Sequence, residues 1–421
     1  INAQVLSLNN LAVVNMKLGD WGASRHDLGK AIEIRKRFEG SPFDDADRVF
    51  GKEEVNLARL SLLKREFDFA TDLLRSILEK DVIEAEEKMK ALAHAFLSQV
   101  FIERRVSDDA EVQLCLATTI AERTAPVSDV MTEIKRRQAQ LHLLQDNPEE
   151  AKREARECIR LCIKIKDKHE MGAALRILAE ANLALGLNTK AVSAFEASIN
   201  TLKSIHECYE LMRSCISYSK YLIETRSDDA DIYLLEARQL CKKLKINYFT
   251  AQVLILYSKY DFNNGDMVSA RRHLKLANEY ADRLDPNDKK TIAPMIREWY
   301  KTLEKAILQT SQESAKRLKS LGRIYEEARF PLEELKPELA TEVARNIGAE
   351  CLFLAKQQNS GYRIPLKYNL SINEAKQILR RQLKCDAKTL FKGNDPRFCP
   401  MMNGKTLVSV PGQTNQGFIL C

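Results

Sequence analysis

Along residues 1–284 apolar positions recur at the three- and four-residue spacing of an amphipathic helix, and short polar turns interrupt them regularly. Seven segments share one pattern. A helical run with a small residue near its middle meets a tight turn, and a second helical run follows. The first segment reads Leu11-Ala12, then Leu18-Gly19-Asp20-Trp21, then Ala31. The fifth reads Leu178-Ala179, Leu185-Gly186, then Ala191 and Phe195. The seventh reads Tyr257-Ser258, Asn264-Gly265-Asp266, then Ala270, Leu274 and Ala277. The second-run anchors are Ser24, Ala70, Ala110, Ala151, Ala191, Ala230 and Ala270, spaced 46, 40, 41, 40, 39 and 40 residues apart. A period held over six steps predicts a repeat array of helix pairs rather than one growing core. A small residue where two helices cross lets the backbones approach. Large neighbours such as Trp21, Phe67, Phe195 and Leu274 then fill the next gap.

The Leu18-Gly19-Asp20-Trp21 run, with Ala191, Ala270 and Ala277, resembles the tetratricopeptide repeat family, whose unit is a helix pair of ~34 residues. The period here is nearer 40, which predicts helices one or two turns longer and inserts between units, as at Phe38 to Arg48. The array is similar to the long-helix arrays of bacterial signalling and transcription regulators. This resemblance covers residues 1–284. It implies a superhelix with first helices on the concave side, forming a groove for an extended or helical peptide. Counting along each first helix then places Asn9, Arg59, Gln99, Arg136, Gln140, Arg176, Glu180, Ser219 and Lys259 on that face as candidate partner-binding residues. Arg59, Arg136 and Arg176 carry the chemistry to grip an acidic segment through bidentate carboxylate contacts. The alternative is an open solvated surface. Val13, Leu62, Ile102, Leu143, Leu183, Leu222 and Phe262 either extend the groove or pack helix on helix.

Asp285-Pro286-Asn287 ends the last repeat. Ile292, Met295, Ile296, Trp299, Leu303 and Ile307 then predict a capping or connecting helix over 285–317. Apolar positions resume at Leu318, Leu321, Ile324 and Ala328, compatible with one long helix or two broken ones. After Leu318 the text changes, for seven of the 15 glycines and six of the 11 prolines fall there. Helical text at Leu332–Ile347 and Ile372–Leu383 alternates with strand-like text at Cys351–Ala355, Tyr362–Leu366, Thr406–Val410 and Gly417–Cys421. This predicts an α+β module with an antiparallel sheet over 318–421. The run Glu342-Val343-Ala344-Arg345-Asn346-Ile347-Gly348-Ala349-Glu350, with Cys351 to Leu354 after it, resembles a GAF domain, as does Leu407 to Pro411 with Gly417 to Leu420. A whole GAF domain has a further helix after its last strand. The resemblance therefore implies a truncated GAF-like module, with sensing of a small molecule or dimerisation as its role. The expected fold class is mostly α: a tetratricopeptide-type solenoid of about seven helix pairs plus this small α+β part.

Charge changes the picture locally. The 421 residues carry 66 Lys+Arg and 59 Asp+Glu, a net of +7. Residues 356–421 hold 11 Lys+Arg against 3 Asp+Glu, and residues 1–355 hold 55 against 56. Anion-binding chemistry therefore belongs to the tail, where Arg380, Arg381, Lys384 and Lys388 form the densest cluster. A solvated basic face is the default reading. The tail has no helix-turn-helix or zinc-finger pattern, which leaves nucleic acid as the weaker alternative. An apolar share of 45% and a charged share of 30% suit a folded protein. No stretch approaches the ~18 to 20 apolar residues of a membrane span. The chain opens on Ile1 without a signal-like segment, which reads as a fragment of something longer. Its ten cysteines include no CxxC pair, which favours a reducing, cytoplasmic setting. Cys158 and Cys162, four apart, read as a packing pair, since zinc needs about four ligands.

Chemistry-bearing motifs are missing. The sequence has no GxxxxGK[ST], HExxH, GxSxG or GxGxxG. Its six histidines are scattered about one per repeat, and none follows His273, which argues against a His-ligated haem in the tail. Catalysis, metal and cofactor are not expected. The expected function is a non-catalytic regulatory interaction module of a signalling or transcription-regulatory protein. Its partners would be a protein or peptide effector in the groove, a second copy by self-association, and a small molecule at the GAF-like part. A passive scaffold, or nucleic-acid binding through the basic tail, is the alternative.

Overall fold

The computed structural model describes residues 2–37, 52–79, 87–328, 352–358, 361–368, 398–400, 406–409 and 416–420, with side chains in the helices up to 309. Two compact units are separable, Ile1–Leu303 and Glu304–Cys421.

Fourteen helices of the first unit form seven antiparallel pairs. They are α1 (Asn2–Leu18) with α2 (Trp21–Arg37), α3 (Lys52–Leu63) with α4 (Phe67–Leu78), α5 (Glu87–Glu103) with α6 (Ser107–Thr124), and α7 (Asp129–Leu144) with α8 (Pro148–Ile165). Then come α9 (Lys168–Ala184) with α10 (Asn188–Ser204), α11 (Tyr209–Glu224) with α12 (Ala230–Leu244), and α13 (Asn247–Asn263) with α14 (Met267–Ala281). All seven predicted anchors, from Ser24 to Ala270, are fully buried at 0% exposure. So are the small first-helix residues Ala12, Ala58, Ser98, Ala139, Ala179 and Ser258. At Gly172 in α9 the neighbouring helix packs so closely that an added Cβ would lie 2.5 Å from Leu202 Cγ of α10. At that distance no side chain fits without moving its neighbour.

Each pair turns through the same device. One residue adopts a left-handed conformation: Gly19, Arg65, Arg105, Asp146, Gly186, Arg226 and Gly265 in order, with φ between 56° and 81°. The next amide then reaches back five residues, as in Asp20 N to Asn15 O at 2.9 Å and Glu66 N to Ser61 O at 2.8 Å. This satisfies carbonyls that the helix end leaves open. Glycine fills three of these positions. An L side chain in the other four costs about 1 kcal/mol each.

The predicted connecting helix is one continuous element, α15 (Pro286–Ala328). Asp285 caps it by accepting from Asn287 N at 2.9 Å and Asp288 N at 3.1 Å, and Pro286 takes the first turn, where it gives up no bond. Ile292, Ile296 and Leu303 are buried against the array's end, while Met295 is exposed. Trp299 donates to Ser258 Oγ at 2.8 Å and packs edge-on against Phe262.

Within the second unit, β1 (Leu352–Gln358), β2 (Gly361–Tyr368), β3 (Phe398–Pro400), β4 (Thr406–Ser409) and β5 (Gln416–Leu420) pair antiparallel in the order β2-β1-β5-β4-β3. Four of these fall on the strand-like text, and β3 was not expected. The register of the β1–β2 hairpin shifts between Leu354 and Lys356. The expected helices at Leu332–Ile347 and Ile372–Leu383 lie outside the described residues.

Candidate partner-binding cleft

The first helices α3, α5, α7, α9 and α11, with Arg65 of the α3–α4 turn and Asp288 of α15, bring charged side chains toward one another. Two chains of ion pairs result. In the first, Arg137 meets Glu133 at 2.9 Å and Glu133 meets Arg59 at 3.2 Å. Arg59 also lies 3.7 Å from Glu170, which holds Arg136 at 2.6 Å. In the second, Asp288 binds Arg65 at 2.7 Å, Arg65 binds Glu103 at 2.8 Å, and Arg213 lies 3.5 Å from Glu103 and 3.8 Å from Glu210. Arg176 then pairs with Glu210 at 3.1 Å and Glu180 at 2.9 Å. Arg59 comes from the second pair, whereas Glu133 and Glu170 come from the fourth and fifth. These contacts join non-adjacent pairs rather than neighbours.

Burial and charge act against each other here. Burial pushes the Glu210 carboxyl up, but Arg176, Arg213 and Arg136 outweigh it and hold the group at about 2. Glu170 is also held well below its ordinary range, because Arg136, His169 and Arg59 overcome its burial. Burial lowers His169, yet its hydrogen bond to Glu170 at 3.1 Å and the nearby Glu207 raise it overall. For Arg137, burial and the Arg136 charge win, pushing it down to about 10. Glu207 ties this centre to α11, accepting from Tyr209 N, Glu210 N and Leu211 N.

Further contacts bring the first two pairs against the last ones. Cys208 N donates to Lys17 O at 3.1 Å. The Trp21 and Tyr209 rings lie 6.2 Å apart. The Arg65 guanidinium stacks 3.7 Å from the Tyr248 ring centre. A small cavity of about 50 Å³ remains among Arg59, Gln99, Arg136, His169 and Glu207.

A larger cleft of about 820 Å³ runs beside it along α5, α7, α9, α11 and α13. Leu143, Leu183, Phe195, Tyr221 and Phe249 supply apolar wall, while Arg105, Gln140, Arg176, Glu180, Lys220 and Glu224 supply polar wall. Arg105 and Lys220 are exposed, so their charges face solvent. The buried Oε1 of Gln140 and Nε of Arg176 have no hydrogen-bond partner. Such atoms gain from a polar ligand more than solvated ones do.

The nine sequence candidates are therefore divided. Gln140, Arg176 and Glu180 meet on the large cleft, and Arg59, Gln99 and Arg136 line the small cavity. The three arginines already hold the chain's own glutamates. Asn9 is buried and accepts from Asn56 Nδ2 at 2.8 Å. Ser219 is buried and bonds back to Cys215 O at 2.7 Å, and Lys259 sits over the Trp299 ring. Sequence counting missed Arg105, Lys220 and Tyr248. Arg105 belongs to a turn and Lys220 to the rim of a first helix, and neither position has a small-residue anchor. Arg380, Arg381, Lys384 and Lys388 lie outside the described residues. Among the described residues, no cluster of three or more His, Cys, Asp or Glu is arranged to hold a metal, and no helix is long and apolar enough to cross a membrane. Cys158 and Cys162 are buried with sulfurs 3.9 Å apart, as a packing pair would be.

A family model for the tetratricopeptide repeat matches residues 5–44, which take in α1 from Val5 onward and the whole of α2. The matched segment is similar to one tetratricopeptide repeat unit. The six pairs after the match repeat its buried anchor and its left-handed turn. Among solved structures, a Rap protein complexed with Competence and Sporulation Factor shares 10% identity at a TM-score of 0.47, over 73% of this chain and 99% of that one. A signal-transduction ATPase with a tetratricopeptide repeat sensor, from Pyrococcus horikoshii, shares 16% identity at a TM-score of 0.45. That likeness covers 73% of this chain and 49% of the other. A comparison with curated proteins gave no match.

Proposed function

We propose that the tetratricopeptide-like array is a non-catalytic regulatory interaction module whose 820 Å³ cleft takes a segment of a protein or peptide effector. The observation that carries this reading is the cleft itself. It draws lining from α5, α7, α9, α11 and α13, has an apolar wall, and includes Gln140 and Arg176, each of which keeps one buried polar atom without a partner. A peptide backbone supplies a donor and an acceptor at every residue and suits such a wall. The arginines are mostly neutralised by the chain's own carboxylates, so shape and backbone bonding, more than net charge, would select the ligand. The reading of residues 318–421 as a GAF-like sensor or dimerisation part belongs to the same proposal. It rests on the text from Glu342 to Leu354 and from Leu407 to Leu420, beside the antiparallel strands there.

Selection of a random peptide library on the full chain tests the cleft. Enriched peptides should lose binding by about tenfold or more, some 1.4 kcal/mol, in Lys220→Glu or Gln140→Ala. No enrichment, or enriched peptides indifferent to both changes, would remove the reading.

A further inference from the structure

The contact between Arg65 and Asp288 joins positions 223 residues apart, and both side chains are more than nine-tenths buried. Arg65 sits at the left-handed turn between α3 and α4, with φ 65°. Its Nε donates to Asp288 Oδ2 at 2.8 Å and its Nη2 to Asp288 Oδ1 at 2.7 Å. This is the planar, two-bond geometry that only arginine gives a carboxylate. Asp288 belongs to the first turn of α15, so the fork holds the start of that helix against the second helix pair.

The same arginine also touches residues that line the large cleft. Its Nη1 donates to Glu103 at 2.8 Å, and Glu103 takes Arg213 on its other oxygen. Glu103, Arg213, Tyr248, Phe249 and Thr291 all line the cleft. Tyr248 is the ring on which Arg65 stacks, and Thr291 lies on α15 itself. A ligand entering the cleft therefore meets one carboxylate and one ring that Arg65 depends on. Any group that draws Glu103 or Tyr248 toward itself weakens the seat of Arg65, and with it the hold on Asp288.

We propose that the Arg65–Asp288 pair is a releasable latch that couples occupancy of the cleft to the start of α15. This rests on the cleft being a binding site. The latch itself is a property of the unliganded chain and can be tested without a ligand. When the fork opens, residues 286–303 loosen while the pairs from α5 to α12 stay folded, because their anchors and turns are independent of it. Local opening of this kind shows as faster amide exchange confined to one segment.

Hydrogen exchange on the full chain should be compared for wild type, Asp288→Asn, the milder Arg65→Lys, Glu103→Gln and the Glu103→Gln/Asp288→Asn double variant. Exchange in residues 286–303 should quicken by about tenfold in each single variant; α5–α12 should stay unchanged in Asp288→Asn and Arg65→Lys, whereas Glu103→Gln also quickens α5 and α11, which carry Glu103 and its partner Arg213. The double variant should add little to either single one, because both open the same latch. Unchanged exchange in residues 286–303 would overturn the proposal. So would an equal rise across the array, or outright unfolding, since the pair would then be a plain structural staple. Additive effects in the double variant would remove the coupling to the cleft.

Discussion

Replacing Glu170 by Gln removes one charge from the centre of the array and keeps its shape. Glu170 is 2% exposed and sits against Arg136 at 2.6 Å, His169 at 3.1 Å and Arg59 at 3.7 Å. After the change, Arg59 and Arg137 keep Glu133, whereas Arg136 loses its ion-pair partner and is left with Glu210 and Glu133 farther off. Breaking a buried pair by deleting one partner costs about 3–5 kcal/mol, because the other charge stays buried. Gln still accepts one hydrogen bond, so the lower end, about 3 kcal/mol, is expected. Urea unfolding followed by circular dichroism at pH 7 measures it. The slope should be compared with wild type, because a repeat array can lose two-state behaviour. pH gives an internal check. The folded Glu170 carboxyl is depressed, so its stabilisation is complete above the unfolded value of about 4.3 and fades as pH falls toward the lower folded value. The gap between wild type and variant should therefore shrink below about pH 4. A cost under about 1 kcal/mol at pH 7 would refute the reasoning, since that is the range of a solvated surface pair.

Gly172→Ala should destabilise by about 1–3 kcal/mol through overpacking against Leu202, despite the helix propensity that alanine adds, and Leu202→Ala in the same chain should recover part of the loss in thermal melts. Arg226→Gly, at an exposed left-handed turn, should raise stability by up to about 1 kcal/mol, whereas Arg65→Gly should lower it despite the same backbone relief, because Arg65 holds Asp288. Protonated His169 is favoured by folding, so its contribution is complete below the unfolded value of about 6.5 and is lost as pH rises through the raised folded value; His169→Gln should flatten that limb of the stability–pH curve. Cys115 is exposed and should react with a maleimide well before Cys158, Cys215 and Cys241, whose burial raises their thiols, with a hydrogen bond to Cys162 leading at Cys158.

The array was legible in the sequence because its determinants are local. An alanine or serine every 40 residues marks each crossing, and all seven anchors are fully buried. Strand positions at 352–358 and 361–368 were legible from a short apolar run and an Asn-Ser-Gly turn. The left-handed turns were half legible: Gly19, Gly186 and Gly265 announce themselves, while Arg65, Arg105, Asp146 and Arg226 hold the same conformation with side chains that disfavour it. The ion-pair chains were not legible. Helical counting places Arg59, Arg136 and Arg176 on one face, but their partners lie between 4 and 111 residues away, chosen by how the pairs stack. An arginine free to grip a ligand and one already gripped by Glu170 look alike in a linear pattern. Lys220 was passed over for the converse reason, since a surface lysine carries no periodic mark.

Site-specific photocrosslinking in cells, with a benzophenone side chain at Lys220 in the cleft and, separately, at the exposed Arg153 of α8, tests partner binding by the cleft most directly. A defined adduct from position 220 that is absent from position 153, and lost when Gln140 is also replaced by Ala, is the predicted result. Equal adducts from both positions, or an adduct from position 153 alone, would contradict it.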